Sequence, residues 1–241
     1  MSRQSDSTES VPVVAIDGPS GSGKGTVGET LAARLGWHYL DSGALYRAVG
    51  VAARRAPVDL ADESGLARLA GSVDIRFVPG PGAAVAVMLE EEDISDELRT
   101  EAAGDAASRV AAVAGVRRAL LRKQHELRRP PGLVADGRDM GTTVFPDALL
   151  KVFLTASPEV RAERRHKQLK QKGSNVNLSR LLQDIRERDA RDAARAVSPL
   201  KPAADAHLLD TSDLRISEVV DRIESLLRQQ EGASGGRRDD T

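Results

Sequence analysis

The stretch from residue 17 to residue 26, Asp-Gly-Pro-Ser-Gly-Ser-Gly-Lys-Gly-Thr, places the strongest constraint on the fold. Before it, residues 13–16 read Val-Val-Ala-Ile, an apolar and largely β-branched run typical of a buried parallel strand. After it, Val27, Leu31 and Leu35 recur at helical spacing. Glycines let a backbone turn tightly, so that N–H groups converge on an anion, and the helix adds its N-terminal dipole. The stretch therefore predicts a phosphate site between a strand and a helix.

The spacing Gly18-x-x-x-x-Gly23-Lys24 fits the P-loop pattern, in which the lysine supplies positive charge to a transferred phosphoryl group. A glycine-rich turn without a ligand is the alternative, but strand, spacing, lysine and helix together favour phosphate binding. One position departs from the pattern. Gly25 stands where a P-loop normally has Ser or Thr, and the hydroxyl follows at Thr26. We therefore expect magnesium to be held mainly through phosphate oxygens and water, with Thr26 as a possible contact.

Composition limits the other classes of function. The 241 residues are 40% apolar but only 2% aromatic, and 35 basic against 36 acidic residues give a net charge of −1. A balanced charge provides no global field for nucleic acid or anionic lipid. With no cysteine, disulfides, thiolate metal sites and a cysteine nucleophile are excluded. No run approaches the length of a membrane span, so we expect a cytoplasmic protein. Residues 1–11 and 231–241 are expected to be disordered tails around one domain, residues 12–230.

A second short strand is predicted at residues 37–40, followed by Asp-Ser-Gly-Ala-Leu-Tyr-Arg at residues 41–47. Ser42 is expected to cap the helix that begins there. Arg47 falls near the start of that helix, where the helix dipole disfavours a cation unless an anion is close. An exposed helix arginine is the alternative.

A β-hairpin is predicted where residues 73–77 alternate in polarity and residues 84–89 form a second apolar run. The intervening Pro-Gly-Pro-Gly turn, residues 79–82, excludes a helix. We interpret the region of about residues 66–110 as an insertion into the α/β pattern, with helices predicted at 96–112 and 116–129.

Residues 133–135 predict a third main-sheet strand that ends at Asp136, Arg138 and Asp139. Ligands of open parallel sheets bind beyond the carboxyl ends of the strands, where these side chains lie. Asp136 is placed like the strand-end acid that handles magnesium and its waters in P-loop enzymes. A helix cap with a surface ion pair is the alternative. Further strands are predicted at residues 149–154 and 207–209.

Two basic segments follow the fourth strand. Residues 161–172 carry five or more cations on one helix, either a solvated surface or a mobile lid of about residues 161–177 that closes over a polyphosphate. Arg188, Asp192 and Arg195 fall at i, i+4 and i+7, on one helix face. That face is either a surface ion-pair ladder or a wall of phosphate and ribose contacts. A closing helix with Ile216 and Val219 inward completes the chain.

Four blocks in order resemble the bacterial cytidylate kinases: the loop at 17–26, Asp-Ser-Gly-Ala-Leu-Tyr-Arg at 41–47, Asp-Gly-Arg-Asp-Met-Gly-Thr at 136–142, and Arg-Asp-x-Arg-Asp-x-x-Arg at 188–195. The resemblance runs from about Val11 to Leu227. It implies an α/β P-loop kinase core with a five-stranded parallel sheet flanked by helices, an inserted nucleoside-monophosphate-binding subdomain and a small lid. It also implies transfer of the γ-phosphoryl group of ATP, with Mg²⁺, to CMP or dCMP.

The resemblance also assigns residues. The ATP loop comprises Gly18, Pro19, Ser20, Gly21, Ser22, Gly23, Lys24, Gly25 and Thr26. The CMP site comprises Ser42, Arg47, Ser108, Arg117, Arg138, Asp139, Arg188, Asp192 and Arg195. Catalytic roles fall to Lys24, Asp136, Arg138 and Arg195. No direct protein ligand is required for the metal, although Asp136 and Thr26 are candidates.

A small P-loop kinase for adenylate, uridylate or a small alcohol acid is the nearest alternative. A regulatory GTPase is disfavoured because the only asparagines, Asn175 and Asn177, do not begin an Asn-Lys-x-Asp guanine motif. An RNA-binding protein is disfavoured because the chain has neither an excess of basic residues nor the aromatic side chains on which bases stack. We expect ATP and CMP or dCMP as partners, no nucleic acid or membrane, and a monomer.

Overall fold

The computed structural model describes residues 11–79, 85–171, 173 and 176–235. The strands are β1 (Val13–Asp17), β2 (His38–Asp41), β3 (Ile75–Pro79), β4 (Val85–Leu89), β5 (Glu92–Asp93), β6 (Leu133–Gly137), β7 (Leu150–Thr155) and β8 (His207–Asp210). The helices are α1 (Lys24–Leu35), α2 (Ser42–Arg55), α3 (Glu63–Ser72), α4 (Ser95–Leu98), α5 (Glu101–Val110), α6 (Ala114–Glu126), α7 (Pro158–Gln171), α8 (Leu178–Ala193) and α9 (Ile216–Gly235). A π-helical turn spans Met140–Val144.

The main sheet has five strands in the order β2-β6-β1-β7-β8, and every pair is parallel, which confirms the predicted α/β sheet. Its central strand β1 is buried on both faces, as a parallel sheet between helices requires. Val13 and Ala15 pack into the layer that contains α2, α5 and α6, whereas Val14 and Ile16 pack against α1 and α9. Alternate side chains of β1 therefore belong to two separate hydrophobic cores, one on each face of the sheet.

A second sheet lies apart from the first, with the antiparallel order β3-β4-β5. The predicted hairpin strands are confirmed, but residues 80–84 of the turn lie outside the described residues. The predicted helix 96–112 is two helices, α4 and α5, because Thr100 is extended and caps α5 by accepting from Ala103 N at 3.2 Å. Helix α5 packs closely on α2, since a Cβ on Gly50 would lie 2.8 Å from Ala106 Cβ.

Three other expectations need correction. The side chain of Asp41, not Ser42, caps α2 by accepting from Ala44 N at 3.0 Å, while Ser42 Oγ donates to Gln124 at 2.8 Å. Helix α9 continues to Gly235, into the predicted tail 231–241, and its first residue Ile216 is 37% exposed rather than inward.

The ends of the chain are only partly described. Val11, assigned to the tail 1–11, accepts a hydrogen bond from Arg128 Nε at 2.7 Å. Residues 1–10 and 236–241 lie outside the described residues. Over the ranges that the structure covers, no helix combines the length and apolar character needed to cross a membrane.

Candidate active site

The loop between β1 and α1 wraps around the amine of Lys24. Gly21 and Gly23 have φ angles of 80° and 90°, in the left-handed region that favours glycine. A Cβ on Gly18 would lie 2.2 Å from the Leu154 carbonyl oxygen, so only glycine fits there. Lys24 Nζ donates to the Pro19 carbonyl at 3.1 Å, and no side chain caps the start of α1. The first N–H groups of the helix are thus left for an anion.

Lys24 and Asp136 are two buried ionisable groups that influence each other electrostatically. Burial lowers the pKa of Lys24, and the positive charge of Arg138 lowers it further. Burial raises the pKa of Asp136, and the nearby Asp41 raises it further. Both shifts favour the neutral forms of the two groups. A bound phosphate would raise the pKa of Lys24 again, because its negative charge favours the protonated lysine.

A pocket of about 220 Å³ opens beside this loop at the carboxyl ends of β2 and β6. Every residue predicted for the acceptor lines it: Ser42, Arg47, Ser108, Arg117, Arg138, Asp139, Arg188, Asp192 and Arg195. So do Ser20, Lys24, Gly25 and Asp136. The remaining loop residues, Gly18, Pro19, Gly21, Ser22, Gly23 and Thr26, are not part of its lining.

Asp192 organises the cationic residues of the pocket. Its side chain is fully buried and pairs with Arg138 Nε at 2.9 Å and with Arg195, while Ser108 Oγ donates at 3.4 Å. Burial alone would raise the pKa of Asp192, but Arg138 and Arg195 outweigh it and the net shift is downward. One carboxylate thus holds two guanidinium groups, those of Arg138 and Arg195, at the same pocket.

Three arginines that line the pocket each have a buried N–H donor with no partner among the described residues. The Nε atoms of Arg47, Arg188 and Arg195 are buried and, in the described part of the chain, without a hydrogen-bond partner. Burial lowers the pKa of Arg188 to about 10, with a further contribution from Arg138. Buried donors without partners are costly unless a ligand satisfies them. Arg47 also pairs with Asp41, which provides an anion close to this cation near the start of α2.

The same pocket is also lined by a buried ion pair. Arg117 and Asp139 contact each other with side chains only 8% and 3% exposed. Arg117 also donates to the Ala111 carbonyl at 3.2 Å and lies over the Tyr46 ring, 5.6 Å from its centroid. A fixed donor beside a fixed acceptor is a pattern that can read the polar edge of a base.

Two positioning residues were missed by the sequence reasoning. Asp17 accepts hydrogen bonds from Met140 N at 2.8 Å and Gly141 N at 2.9 Å, which fixes the turn that follows Asp139. Burial raises the pKa of Asp17 to about 6. Tyr39 donates from its hydroxyl to Asp136 Oδ2 at 2.7 Å. An acid at the end of a buried strand was a usable signal for Asp17, whereas the partner of Tyr39 is 97 residues away.

The basic helix α7 differs from the expected row of free cations. Arg161 is 2% exposed and pairs with Asp189, so it does not face an open polyphosphate site. Arg164 donates to Thr211 Oγ1 at 3.2 Å. Arg165 pairs with Glu101 at the start of α5. Lys172 lies outside the described residues.

Comparison with known proteins places the chain. The sequence model of the family described as cytidylate kinase matches residues 14–229. A cytidylate kinase of Stutzerimonas stutzeri is 58% identical over 214 residues, 88% of this chain and 93% of that protein. One from Methylococcus capsulatus is 56% identical over 212 residues, 88% of this chain and 95% of that protein.

Among solved structures, a gluconokinase from Sinorhizobium meliloti is 19% identical with a TM-score of 0.49, and the match covers 94% of this chain and 97% of that one. A likeness this weak says nothing about substrate. The match across residues 14–229 and identities above one half over nearly the whole length settle the relationship: this chain belongs to the cytidylate kinase family.

Proposed function

We propose that this chain transfers the γ-phosphoryl group of ATP to CMP or dCMP, giving CDP or dCDP and ADP, and that the pocket beside the P-loop is the acceptor site. Membership of the family supports the reaction and the two substrates. The observation that carries the site assignment is that one pocket is lined by two chemically different sets of residues. Asp192 with Arg138 and Arg195 forms the cationic set, and the buried Arg117–Asp139 pair forms the other.

The cationic set suits the phosphate of the acceptor. Arg47, Arg138 and Arg195 would bind it through charge-assisted hydrogen bonds, each worth about 1.5–3 kcal/mol. Arg188 and Asp192 would contact the ribose, with Ser42 at the edge of the same pocket. The free Nε donors of Arg47, Arg188 and Arg195 support this orientation.

The Arg117–Asp139 pair suits cytosine. Cytosine offers an amino donor at N4 and acceptors at N3 and O2. Asp139 would accept from N4, while Arg117 would donate to the ring acceptors, together with Ser108 once its hydroxyl turns away from Asp192. Uracil presents a carbonyl and an N3–H at the corresponding positions, so both contacts would become repulsive or unpaired. Buried polar sites of this kind reject such analogues by up to roughly 10⁴-fold.

The loop would hold ATP. Phosphoryl transfer needs alignment and charge neutralisation more than covalent chemistry, and residues 18–26 offer converging N–H groups together with Lys24. Lys24 and the acceptor-phosphate arginines, Arg138 and Arg195, would stabilise charge that develops on the transferred group. Their common position around the pocket supports this role.

Mg²⁺ would enter with the nucleotide. No group of three or more His, Asp or Glu side chains in the described ranges could hold a metal by itself. The chemistry fits an ion bound chiefly by phosphate oxygens and water, because hard oxygen ligands suit Mg²⁺ and Asp136 supplies one carboxylate beside Lys24. Thr26 is exposed at the third position of α1 and provides a hydroxyl nearby. The ion would supply charge neutralisation between the phosphates.

The remaining organisation is proposed on the same basis. Residues 12–230 would act as one domain, with residues 66–110 as the acceptor-binding insertion and residues 161–177 as a lid whose exposed cations close over ATP. The separate antiparallel sheet supports the insertion. The lid would use the outer face of α7, since Arg161 is buried. A monomer in the cytoplasm remains our expectation.

A coupled assay of ADP release against CMP, dCMP, UMP, AMP and GMP tests the proposal. We expect CMP and dCMP to be phosphorylated far better than UMP, and AMP to be poor because a purine overfills the pocket. Lys24→Ala serves as the catalytic control, and it should keep the fold while losing most turnover. A preference for UMP or AMP would assign the pocket to another acceptor, and near-wild-type turnover of Lys24→Ala would overturn the P-loop assignment.

A further inference from the structure

Arg161 is held by acceptors from three separate elements. Its Nε donates to the Ala156 carbonyl after β7 at 2.9 Å, and its Nη1 donates to the Ser20 carbonyl of the P-loop at 3.0 Å. The same guanidinium pairs with both carboxylate oxygens of Asp189 on α8, at 3.0 Å for Nη1–Oδ1. The stem also packs on the loop, because a Cβ on Gly21 would lie 3.2 Å from Arg161 Cβ.

Asp189 occupies a significant position on α8. It follows Arg188 directly and lies one helical turn before Asp192, which gathers the cations of the acceptor pocket. The carbonyl of Ser20 belongs to the loop that receives the donor phosphates, and Ser20 also lines the pocket. The side chain of Arg161 therefore connects the P-loop to α8, the helix that carries the pocket residues Arg188 and Asp192.

We propose that the Arg161–Asp189 pair is a positioning pair, which sets the separation between the ATP loop and the Arg188–Asp192 wall. The inference rests on the proposed function, since it assumes that a donor and an acceptor occupy these two halves. Planar, bidentate geometry suits the task because two parallel hydrogen bonds fix orientation as well as distance. A displacement of about 1 Å between reacting groups can lower a rate by roughly 100-fold.

The same two helices offer a matched control. Glu159 on α7 and Arg186 on α8 form an ion pair at 2.7 Å, with side chains 52% and 60% exposed. This second pair joins the helices without contacting the P-loop or the pocket. Loss of Glu159–Arg186 therefore reports on helix packing alone, whereas loss of Arg161–Asp189 also releases the loop.

Steady-state kinetics of Asp189→Asn, Arg161→Lys, the double variant and Arg186→Gln test the proposal, together with the melting temperature of each protein. Asp189→Asn keeps the shape but removes the charge, and Arg161→Lys keeps the charge but removes the fork. We expect kcat to fall about 10-fold in each of the first two, with KM for ATP and for CMP changed less than about twofold. The double variant should lose little more than either single variant, because both remove one interaction. Arg186→Gln should retain wild-type kcat.

Several outcomes would overturn the proposal. These are wild-type kcat in a folded Asp189→Asn protein, an equal loss in Arg186→Gln, additive losses in the double variant, or a rise in KM with kcat unchanged. If Asp189→Asn and Arg161→Lys both fail to fold, the pair serves stability and the positioning role is rejected. A wild-type protein that does not phosphorylate CMP would instead overturn the proposed function, and the same comparison would then be made with its true acceptor.

Discussion

The hydroxyl of Tyr39 donates a hydrogen bond of 2.7 Å to Oδ2 of Asp136, across the gap between neighbouring strands β2 and β6. Two glycines of α1 lie against this contact, and at Gly28 a larger side chain would displace the Tyr39 ring. A Cβ on Gly28 would lie 2.8 Å from the Tyr39 ring, and one on Gly25 would lie 3.5 Å from Asp136 Oδ2. Gly25, which stands where a P-loop normally has Ser or Thr, thus lies against the Tyr39–Asp136 hydrogen bond. This hydrogen bond orients Asp136, the acid that we propose to contact the metal.

Tyr39→Phe should keep the fold and lower kcat about fivefold, because the ring still fills its space while one hydrogen bond of about 1 kcal/mol is lost. Steady-state kinetics at saturating ATP and CMP, with a melting curve, measure this. Trp37→Phe is the control, since Trp37 lies on the same segment and packs on Gly132 rather than on a charged group. Equal kcat in Tyr39→Phe and wild type would show that Asp136 needs no orientation by Tyr39.

The contribution of Asp17 to the free energy of unfolding should fall as pH rises, which is the opposite of the usual behaviour of an aspartate. Burial raises its pKa from 3.8 to about 6, so the native state holds a proton that the unfolded chain has released between these pH values. The contribution of Asp17 to stability is therefore greatest below about pH 4 and declines as pH rises through 6, by about 3 kcal/mol. Asp17→Asn cannot titrate, so the stability of the wild type relative to this variant should decline over that range.

Urea unfolding of wild type and Asp17→Asn at several pH values from 4 to 7 measures the difference. Asp147 provides a control whose pKa shift has the opposite sign, because its hydrogen bond to Arg128 lowers its pKa. The contribution of Asp147 is fully present above the unfolded pKa and is lost only as pH falls below it, so the difference between the wild type and Asp147→Asn should stay flat from pH 4 to 7. A flat difference for Asp17→Asn would mean that the two N–H bonds from Met140 and Gly141 keep this carboxylate ionised.

The depressed pKa of Lys24 should couple ATP binding to proton uptake. Burial and Arg138 disfavour its charged form in the free protein, whereas bound phosphates favour it. At pH 8 we expect ATP binding to take up protons, which calorimetry in buffers of different ionisation enthalpy measures. Lys24→Arg is the control because a guanidinium stays charged, and its uptake should be smaller. Identical uptake in both proteins would assign the proton to another group.

The sequence predicted the fold better than the partners of individual charges. Strands at residues 13–16 and 133–135 were readable because burial on two faces demands continuous apolar runs. Residues 37–40 belong to the edge strand β2, where only Leu40 is buried, and all three strands are present in the parallel sheet. The acceptor residues were found by their resemblance to family motifs, and the fold brings them into one pocket. Helical periodicity placed Ile216 inward, yet the first turn of α9 lies beside Gly23 of the loop, where no layer covers it.

Arg161 and Ser42 show why the rest was not predictable. A run of cations does not reveal which one meets a buried acceptor, and the partner of Arg161 lies 28 residues away. Ser42 and Asp41 are both good N-cap residues, and the choice depends on where the helix begins. Ser42 starts the helix and donates instead to Gln124, 82 residues later in the chain. Long-range pairing of this kind leaves no local pattern.

The Arg117–Asp139 pair carries the most specific prediction, because it concerns which base is read. In the wild-type protein the carboxylate can only accept, which matches the N4 amino group of cytosine and opposes the O4 carbonyl of uracil. Asp139→Asn keeps an acceptor for Arg117 and adds an N–H donor that can serve O4. Alanine at this position would leave the buried guanidinium of Arg117 unpaired and is the poorer test.

We therefore expect Asp139→Asn to lower kcat/KM for CMP and raise it for UMP, so that the CMP-to-UMP ratio falls by about 10- to 100-fold. KM for ATP should stay unchanged, because the side chain of Asp139 pairs with Arg117 and not with the loop at residues 18–26. Asp147→Asn, an acid paired with Arg128 outside this pocket, should leave the ratio at its wild-type value. If Asp139→Asn loses activity with both acceptors in equal proportion, Asp139 holds Arg117 in place and the cytosine edge is read by other groups.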